Sequence, residues 1–255
     1  MRYASLAKLI CSLGICILCV GANAAAIVVA PGSSPAGGYL PLSLFGIAPI
    51  SGIGDDTITN QITSTFEYAG QTWNSLGIGS NGFVIVGGSS STVAPFVNTD
   101  LPNAAAPTNM LAPFWTDLRP AGGGGAGDIR IGNLTDGSNT WIVVDWAGVK
   151  DFSDATVNSF EVWIGITGDA NPGEDITFAY GAVGSGNNGH VTVGAQDLTG
   201  LVGDAYYFDG AGTLPVEGTQ LRVTTSGLPV PEPSPLALLG LAIAGMSFAR
   251  RRKLS

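Results

Sequence analysis

The sequence predicts an all-β protein whose single domain is an antiparallel β-sandwich or a barrel-like variant of one. Short runs that alternate apolar and polar residues recur along the chain between turn signals. The central part of the chain is rich in Gly, Thr, Val and Asn and has few of the residues that favour helices. No stretch of it keeps a helical period of apolar residues. Strands with one apolar face usually bury that face against a second sheet.

The first 24 residues are predicted to be a signal peptide. Arg2 and Lys8 precede an apolar run over residues 9–20, and Ala22-Asn23-Ala24 forms a small-residue cleavage box. The run is too short for a bilayer span, which needs about 20 apolar residues. All three cysteines lie inside this peptide. The remaining chain therefore folds without disulfides and depends on packing alone.

Residues 230–255 are predicted to be a C-terminal sorting signal with a short transmembrane helix. A Pro-Glu-Pro motif precedes an apolar run that ends at Ala249, and a basic cluster follows. The motif is Pro231, Glu232 and Pro233, and the basic cluster is Arg250, Arg251, Arg252 and Lys253. Basic residues directly after an apolar segment are retained on the cytoplasmic side, which places the body of the protein outside.

This arrangement resembles the PEP-CTERM signal of Gram-negative bacteria. The resemblance implies that an exosortase-like enzyme acts at Pro231, Glu232 and Pro233. We therefore expect a protein that is exported, anchored transiently in the inner membrane by its C-terminal segment, and then released to the cell surface or the extracellular space.

Residues 25–229 carry a strong negative charge. They contain 4 of the 10 basic residues and 18 of the 19 acidic ones, which gives a formal charge of −14. Nucleic acid and anionic membrane surfaces are poor partners for such a body. Cations and neutral polymers remain suitable partners.

Ten segments of this region are predicted strands. In residues 159–166 the apolar side chains recur at every second position, and residues 176–180 repeat the pattern. The predicted strands are residues 57–68, 72–78, 83–86, 129–131, 140–146, 159–166, 175–180, 191–196, 205–208 and 220–225. Residues 87–109 are mostly Gly, Ser, Thr, Ala, Pro and Asn, so we expect a long surface connection there.

Two matches to the G-x-G-x-x-G pattern, at residues 77–82 and 184–189, are interpreted as turns. A dinucleotide site needs a helix directly after the glycines, because the pyrophosphate binds at the helix N-terminus. Strand-like residues follow both matches, and each match ends in Asn-Gly, which favours tight turns. The single histidine, His190, lies directly after the second match and is interpreted as a solvated turn residue.

Residues 66–83, followed by 109–118, resemble the β-rich module of nidogen-like extracellular domains. The resemblance rests on Ser80-Asn81-Gly82 and Ala112-Pro113-Phe114-Trp115, and it covers residues 58–199 or thereabouts. It implies a module for adhesion, matrix contact or spacing. Phe114 and Trp115 suit a sandwich interior, and Pro113 suits a strand edge or a strand start.

A paired-carboxylate site is the alternative interpretation of the core. Asp117 and Asp145 could face one another across a sheet, as the two carboxylates of a glycosidase do. Trp115, Trp141 or Trp146 could then stack on a sugar. A core so rich in aspartate also produces such pairs by chance.

The loop at residues 168–175 is a candidate calcium site. Its oxygen ligands would come from Asp169, Asn171, Glu174 and Asp175. Hard oxygen ligands close together in sequence suit Ca²⁺. Pro172 interrupts the loop, however, and the spacing departs from an EF-hand, so a solvated acidic loop is the competing interpretation. We predict no other cofactor.

Together these features predict an exported cell-surface or extracellular-matrix protein. Its core would be a non-catalytic structural or adhesive module with exopolysaccharide or matrix proteins as partners. A carbohydrate-active enzyme that uses Asp117 and Asp145 is the alternative, and a spacer without a ligand is a third possibility.

Overall fold

The computed structural model describes residues 26–170 and 173–226. The predicted signal peptide, the sorting signal and Asn171 lie outside the described residues. Within the described part of the chain, no helix has the length and apolar character needed to cross a membrane.

The described residues form fourteen β-strands and two short 3-10 helices. The strands are β1 (Ala26–Pro31), β2 (Ile58–Tyr68), β3 (Gln71–Gly79), β4 (Phe83–Val86), β5 (Met110–Trp115), β6 (Leu118–Arg119), β7 (Asp128–Thr135), β8 (Thr140–Asp151), β9 (Val157–Gly165), β10 (Ile176–Tyr180), β11 (Thr192–Gln196), β12 (Gly203–Phe208), β13 (Ala211–Gly212) and β14 (Gln220–Ser226). The 3-10 helices are Leu42–Phe45 and Ala121–Gly123. The prediction of an all-β fold is confirmed.

The strands form two antiparallel sheets. Sheet I has the order β1-β14-β10-β9-β8, with β6 and β7 pairing successive parts of β8. Sheet II has the order β13-β12-β11-β5-β4-β3-β2. The sheets also touch at their edges, since the Val29 N–H of β1 donates to Asp204 Oδ2 of β12 at 2.8 Å. This link gives the sandwich a partly barrel-like closure.

The main hydrophobic core lies between the two sheets. The alternating residues predicted from sequence point inward: Phe160, Val162 and Ile164 on β9, and Ile176, Phe178 and Tyr180 on β10. Trp146 stacks on Phe160 with ring centroids 5.1 Å apart, and Phe114 of sheet II meets Phe160 at 5.3 Å. The indole N–H of Trp146 donates to the Gly79 carbonyl at 3.1 Å, which ties sheet I to sheet II.

The outer face of sheet I is also covered. A covering segment, residues 34–47, lies on it and contributes Leu42 to a second apolar cluster with Trp141, Val143 and Trp163. The Ile47 carbonyl accepts a hydrogen bond from the Arg130 guanidinium at 3.1 Å. The central strands β8, β9 and β10 of sheet I are therefore buried on both faces for most of their length.

Sequence reasoning placed ten of the strands within a few residues, and residues 87–109 do form a long connection between β4 and β5. Strands β1, β5, β6 and β13 were not predicted, and among them β5 is a central strand buried along its whole length. The expectation that Pro113 marks a strand edge or start was wrong. Pro113 lies inside β5, at the point where the pairing of β5 with β11 shifts register, so its missing N–H interrupts no regular ladder.

Candidate functional site

A polar cleft opens at one end of the sandwich, with a volume of about 440 Å³. Four segments form its walls: residues 96–98 of the long connection, residues 116–117 directly after β5, the turn that precedes β11, and Asp209 directly after β12. The lining side chains are Phe96, Val97, Asn98, Thr116, Asp117, Asn187, His190 and Asp209. This size is within the usual range for small-ligand sites.

Thr116 fixes the turn against the end of β5. Its hydroxyl donates to the His190 carbonyl and accepts the Asn187 N–H at 2.8 Å. Asn188 and Gly189, at the tip of the turn, have φ angles of 55° and 81°. The Asn-Gly pair predicted as a turn is thus a turn, and the side chains of Asn187 and His190 line the cleft beside it.

Asp209 links the long connection to the turn that precedes β11. Its Oδ2 lies 2.9 Å from His190 Nδ1, and its Oδ1 accepts hydrogen bonds from Asn98 Nδ2 at 2.8 Å and the Val191 N–H at 3.0 Å. Partial burial would raise the pKa of Asp209, but these hydrogen bonds outweigh it and lower the pKa. His190 is exposed, as predicted, with 66% of its side chain accessible.

Asp117 is a half-buried residue of the cleft lining. Burial and then the neighbouring charges of Asp56 and Asp55 raise its pKa to about 6, against the opposing effect of Arg119. Asn187 Nδ2 approaches Asp117 Oδ2 at 3.4 Å. Asp117 therefore exchanges a proton in a mildly acidic range, unlike an ordinary surface aspartate.

Asp117 also belongs to a group of three carboxylates with Asp55 and Asp56, whose oxygens lie within 4.8 Å of one another. Asn81 holds the group together: its amide nitrogen donates to Asp56 at 2.9 Å, and its oxygen accepts the Leu118 N–H at 3.0 Å. Clustered carboxylate oxygens are the ligand type that Ca²⁺ prefers. Sequence reasoning missed this group because Asp117 is far from the other two along the chain.

The loop predicted to bind calcium has a different arrangement. Asp169 accepts the Thr140 N–H at 2.8 Å, and Glu174 Oε2 accepts the Ala69 N–H at 2.8 Å and the Thr225 hydroxyl at 2.7 Å. Asp175 accepts the Trp141 indole N–H at 3.0 Å and pairs with Arg222 at 2.9 Å. These bonds tie the loop to neighbouring strands.

Asn171, the fourth predicted ligand of that loop, lies outside the described residues. Calcium binding there stays a prediction, and calorimetric titration of the full chain with millimolar Ca²⁺ checks it. Absence of any heat of binding would contradict it.

The structure does not bring Asp117 and Asp145 into one cleft. Asp145 lies on β8, fully buried beneath the covering segment. Its two oxygens accept the Tyr39 hydroxyl and the Leu42 N–H, each at 3.0 Å. Burial raises its pKa to about 6, although both hydrogen bonds oppose the rise.

The three tryptophans proposed to stack on sugar are buried as well. Trp115 is 1% exposed, Trp141 8% and Trp146 0%, so none presents a ring face to solvent. Trp115 instead supports the cleft, because its indole N–H donates to the Pro95 carbonyl at 3.0 Å, next to Phe96. Phe96 is the aromatic residue of the cleft with an accessible ring, at 52% exposure.

The two-sheet fold and the C-terminal Pro-Glu-Pro motif define a class of protein, namely a β module that carries a sorting signal. The model of the NIDO-related family matches residues 34–227, and the chain belongs to that family. The PEP-CTERM protein-sorting motif matches residues 229–253. Comparisons with curated proteins and with solved structures gave no match.

The two matches confirm the resemblances seen in the sequence. The sorting motif identifies an exported protein that is anchored in the membrane and then processed by an exosortase. The NIDO-related domain fits an extracellular module, and it extends further toward both ends of the chain than residues 58–199.

Proposed function

We propose that this protein is a non-catalytic module of the cell surface or extracellular matrix and that it binds exopolysaccharide. The observation that carries the proposal is the open cleft at one end of the sandwich, in a protein whose sorting motif marks it as exported. The cleft combines an accessible aromatic ring with amide, imidazole and carboxylate groups, a combination that suits a polyhydroxylated ligand.

Charge supports a sugar polymer over other polymers. The region between the two signals has a formal charge of −14, which disfavours nucleic acid and anionic lipid surfaces. A neutral polysaccharide meets no such repulsion. Matrix proteins are the other expected class of partner, and a protein-mediated role would be favoured if no saccharide binds.

Co-sedimentation tests the proposal. The full chain, solubilised in mild detergent, is incubated with extracellular polysaccharide from the producing cells, with and without calcium. We expect saturable binding, and heat-unfolded protein serves as the control for non-specific trapping. Equal retention of folded and unfolded protein, or no retention in either condition, would contradict the proposal.

A carbohydrate-active enzyme is the second candidate, and the raised pKa of Asp117 in the cleft is the observation that favours it. A general acid of that kind needs a second carboxylate, which Asp145 does not supply from its buried position. Release of reducing ends from the same polysaccharide is the test. Hydrolysis that disappears in a folded Asp117→Asn variant would establish the enzyme and overturn the non-catalytic proposal.

A further inference from the structure

The rim of the cleft presents an apolar surface that is held in place before any ligand arrives. Phe96 is 52% exposed and Val97 64% exposed. The residues on either side of them are anchored: Pro95 accepts the Trp115 indole N–H, and the buried Asn98 donates to Thr192 Oγ1 at 3.1 Å. Two adjacent large apolar side chains kept in solvent on a fixed backbone form a platform, and aromatic platforms stack on flat apolar faces.

The polar groups that line the cleft with this platform are also fixed in orientation. The His190 ring is bonded to Asp209 through Nδ1, which places Nε2 at the far side of an exposed ring. Asn187 is held by its N–H to Thr116 and by its side-chain oxygen, which accepts the Ser153 N–H at 2.8 Å. Asp117 contributes a carboxyl group to the same lining. Donors and acceptors of this kind match the vicinal hydroxyls of a sugar.

The negative charge around the cleft favours a neutral sugar over an anionic one. Asp117 and Asp209 line it, and Asp55 and Asp56 lie directly behind Asp117. A uronate or sulfated unit would place another negative charge against these carboxylates, and like charges at short range repel. A neutral hexose has an apolar C–H face for Phe96 and hydroxyls for His190 and Asp117.

We infer that this cleft is the saccharide subsite of the protein and that it takes a neutral hexose unit, stacked on Phe96 and hydrogen-bonded by His190 and Asp117. The inference rests on the proposed function and specifies its site and its ligand class. The platform provides most of the contact area, while the polar side selects an uncharged polyhydroxylated ring.

The test measures binding of the full chain to polysaccharide from the producing cells, separated by anion exchange into neutral and anionic fractions. Three variants are compared: Phe96→Ala, His190→Ala and the control Phe45→Ala. Phe45 is equally exposed, at 52%, but lies in the covering segment on the outer face of sheet I. Thermal unfolding of each variant checks that the fold is kept.

We expect the wild type to bind the neutral fraction and Phe96→Ala to weaken that binding about tenfold, the size of one lost aromatic contact. His190→Ala should weaken it by a similar factor, and Phe45→Ala should bind as the wild type does. If all three variants bind the neutral fraction as tightly as the wild type does, the cleft is not the saccharide site. The proposed function, binding of exopolysaccharide, would still stand. Tighter binding of the anionic fraction overturns the ligand class. No binding of either fraction overturns both the inference and the proposed function.

Discussion

Asp145 and Glu161 lie directly opposite one another on β8 and β9, and both carboxylates are completely buried under the covering segment. Glu161 Oε2 accepts the Leu40 N–H at 3.1 Å and the Trp163 indole N–H at 2.9 Å, while its Oε1 has no hydrogen-bond partner. Burial, with a smaller contribution from Asp145, raises the pKa of Glu161 to about 8, although the hydrogen bonds from Leu40 and Trp163 oppose the rise. Glu161 therefore keeps its proton at neutral pH, and the partnerless Oε1 is the oxygen suited to carry it.

This arrangement predicts a loss of stability at alkaline pH. The folded pKa of Glu161 lies above its unfolded value of 4.5, so the folded state binds more protons between those two values. The stabilisation is complete below pH 4.5 and is lost as pH rises through about 8. Asp145, Asp117 and Asp151 titrate near 6, which leaves the interval from pH 6 to 9 mainly to Glu161. We expect the free energy of unfolding to fall there by about 3 kcal/mol in urea titrations.

A Glu161→Gln variant isolates the cause. The amide oxygen still accepts the Leu40 and Trp163 N–H groups, but nothing titrates at that position. We expect its unfolding free energy to be nearly constant between pH 6 and 9 and to exceed that of the wild type at pH 9. Glu217→Gln, at an exposed position, should keep the wild-type slope. A Glu161→Gln variant with the same slope as the wild type would show that the proton is held elsewhere.

The Tyr39 hydroxyl tests how the covering segment is held. Tyr39→Phe removes a donor to buried Asp145 and leaves that oxygen without its partner. We expect a loss of about 1–3 kcal/mol in the free energy of unfolding, the usual cost of an unsatisfied buried acceptor. Limited proteolysis should also cut residues 34–47 faster.

Leu44→Ala is the matched control, because Leu44 lies in the same segment and is 71% exposed. Its effect should stay within about 0.5 kcal/mol. Equal proteolysis rates for Tyr39→Phe and Leu44→Ala would mean that the Tyr39 hydroxyl does not hold the segment.

The two Asn-Gly turns predict opposite tolerances to the same substitution. Gly82 has φ 78°, and an added Cβ would lie 2.0 Å from the Phe114 carbonyl oxygen, which is backbone and cannot move aside. Gly189 has φ 81°, with nothing within 4 Å of that position. Gly189→Ala should lower the free energy of unfolding by about 1–2 kcal/mol, the cost of placing alanine in the left-handed conformation.

Gly82→Ala should cost more than about 4 kcal/mol or prevent folding, because the clash adds to the conformational penalty. Yield of soluble protein and urea midpoints measure the difference. Similar midpoints for the two variants would show that the close approach of the turn to β5 is not rigid.

These turns illustrate which features of the fold the sequence alone could predict. Asn-Gly spacing predicted both turns, and strict alternation predicted β9 and β10, because local chemistry determines them. Strand β5 has no alternation, since both of its faces are buried, and Pro113 argued against a central strand. Glu161 was missed for a related reason: on an alternating strand a polar position indicates solvent, unless another segment covers that face.

The cleft was not predicted from the sequence either, because it depends on contacts between distant parts of the chain. Phe96 and His190 are far apart in the chain, and only the pairing of β5 with β11 brings their segments together. The sorting signal, by contrast, is local and could be identified from its residues alone. The features that the sequence predicts are therefore those that depend on residues close together in the chain.

Phe160 provides the last prediction, because it joins the two sheets. Its ring lies between Trp146 of sheet I and Phe114 of sheet II, with centroids 5.1 and 5.3 Å away, and it is fully buried. Phe160→Ala removes both aromatic contacts and leaves a cavity between the sheets. Movement of one sheet alone would not fill that cavity. We expect a loss of about 3–5 kcal/mol in urea unfolding, against less than about 1 kcal/mol for exposed Phe45→Ala. A Phe160→Ala cost as small as that of Phe45→Ala would mean that the sheets are held by their edge contacts, such as Val29 with Asp204, and not by this aromatic cluster.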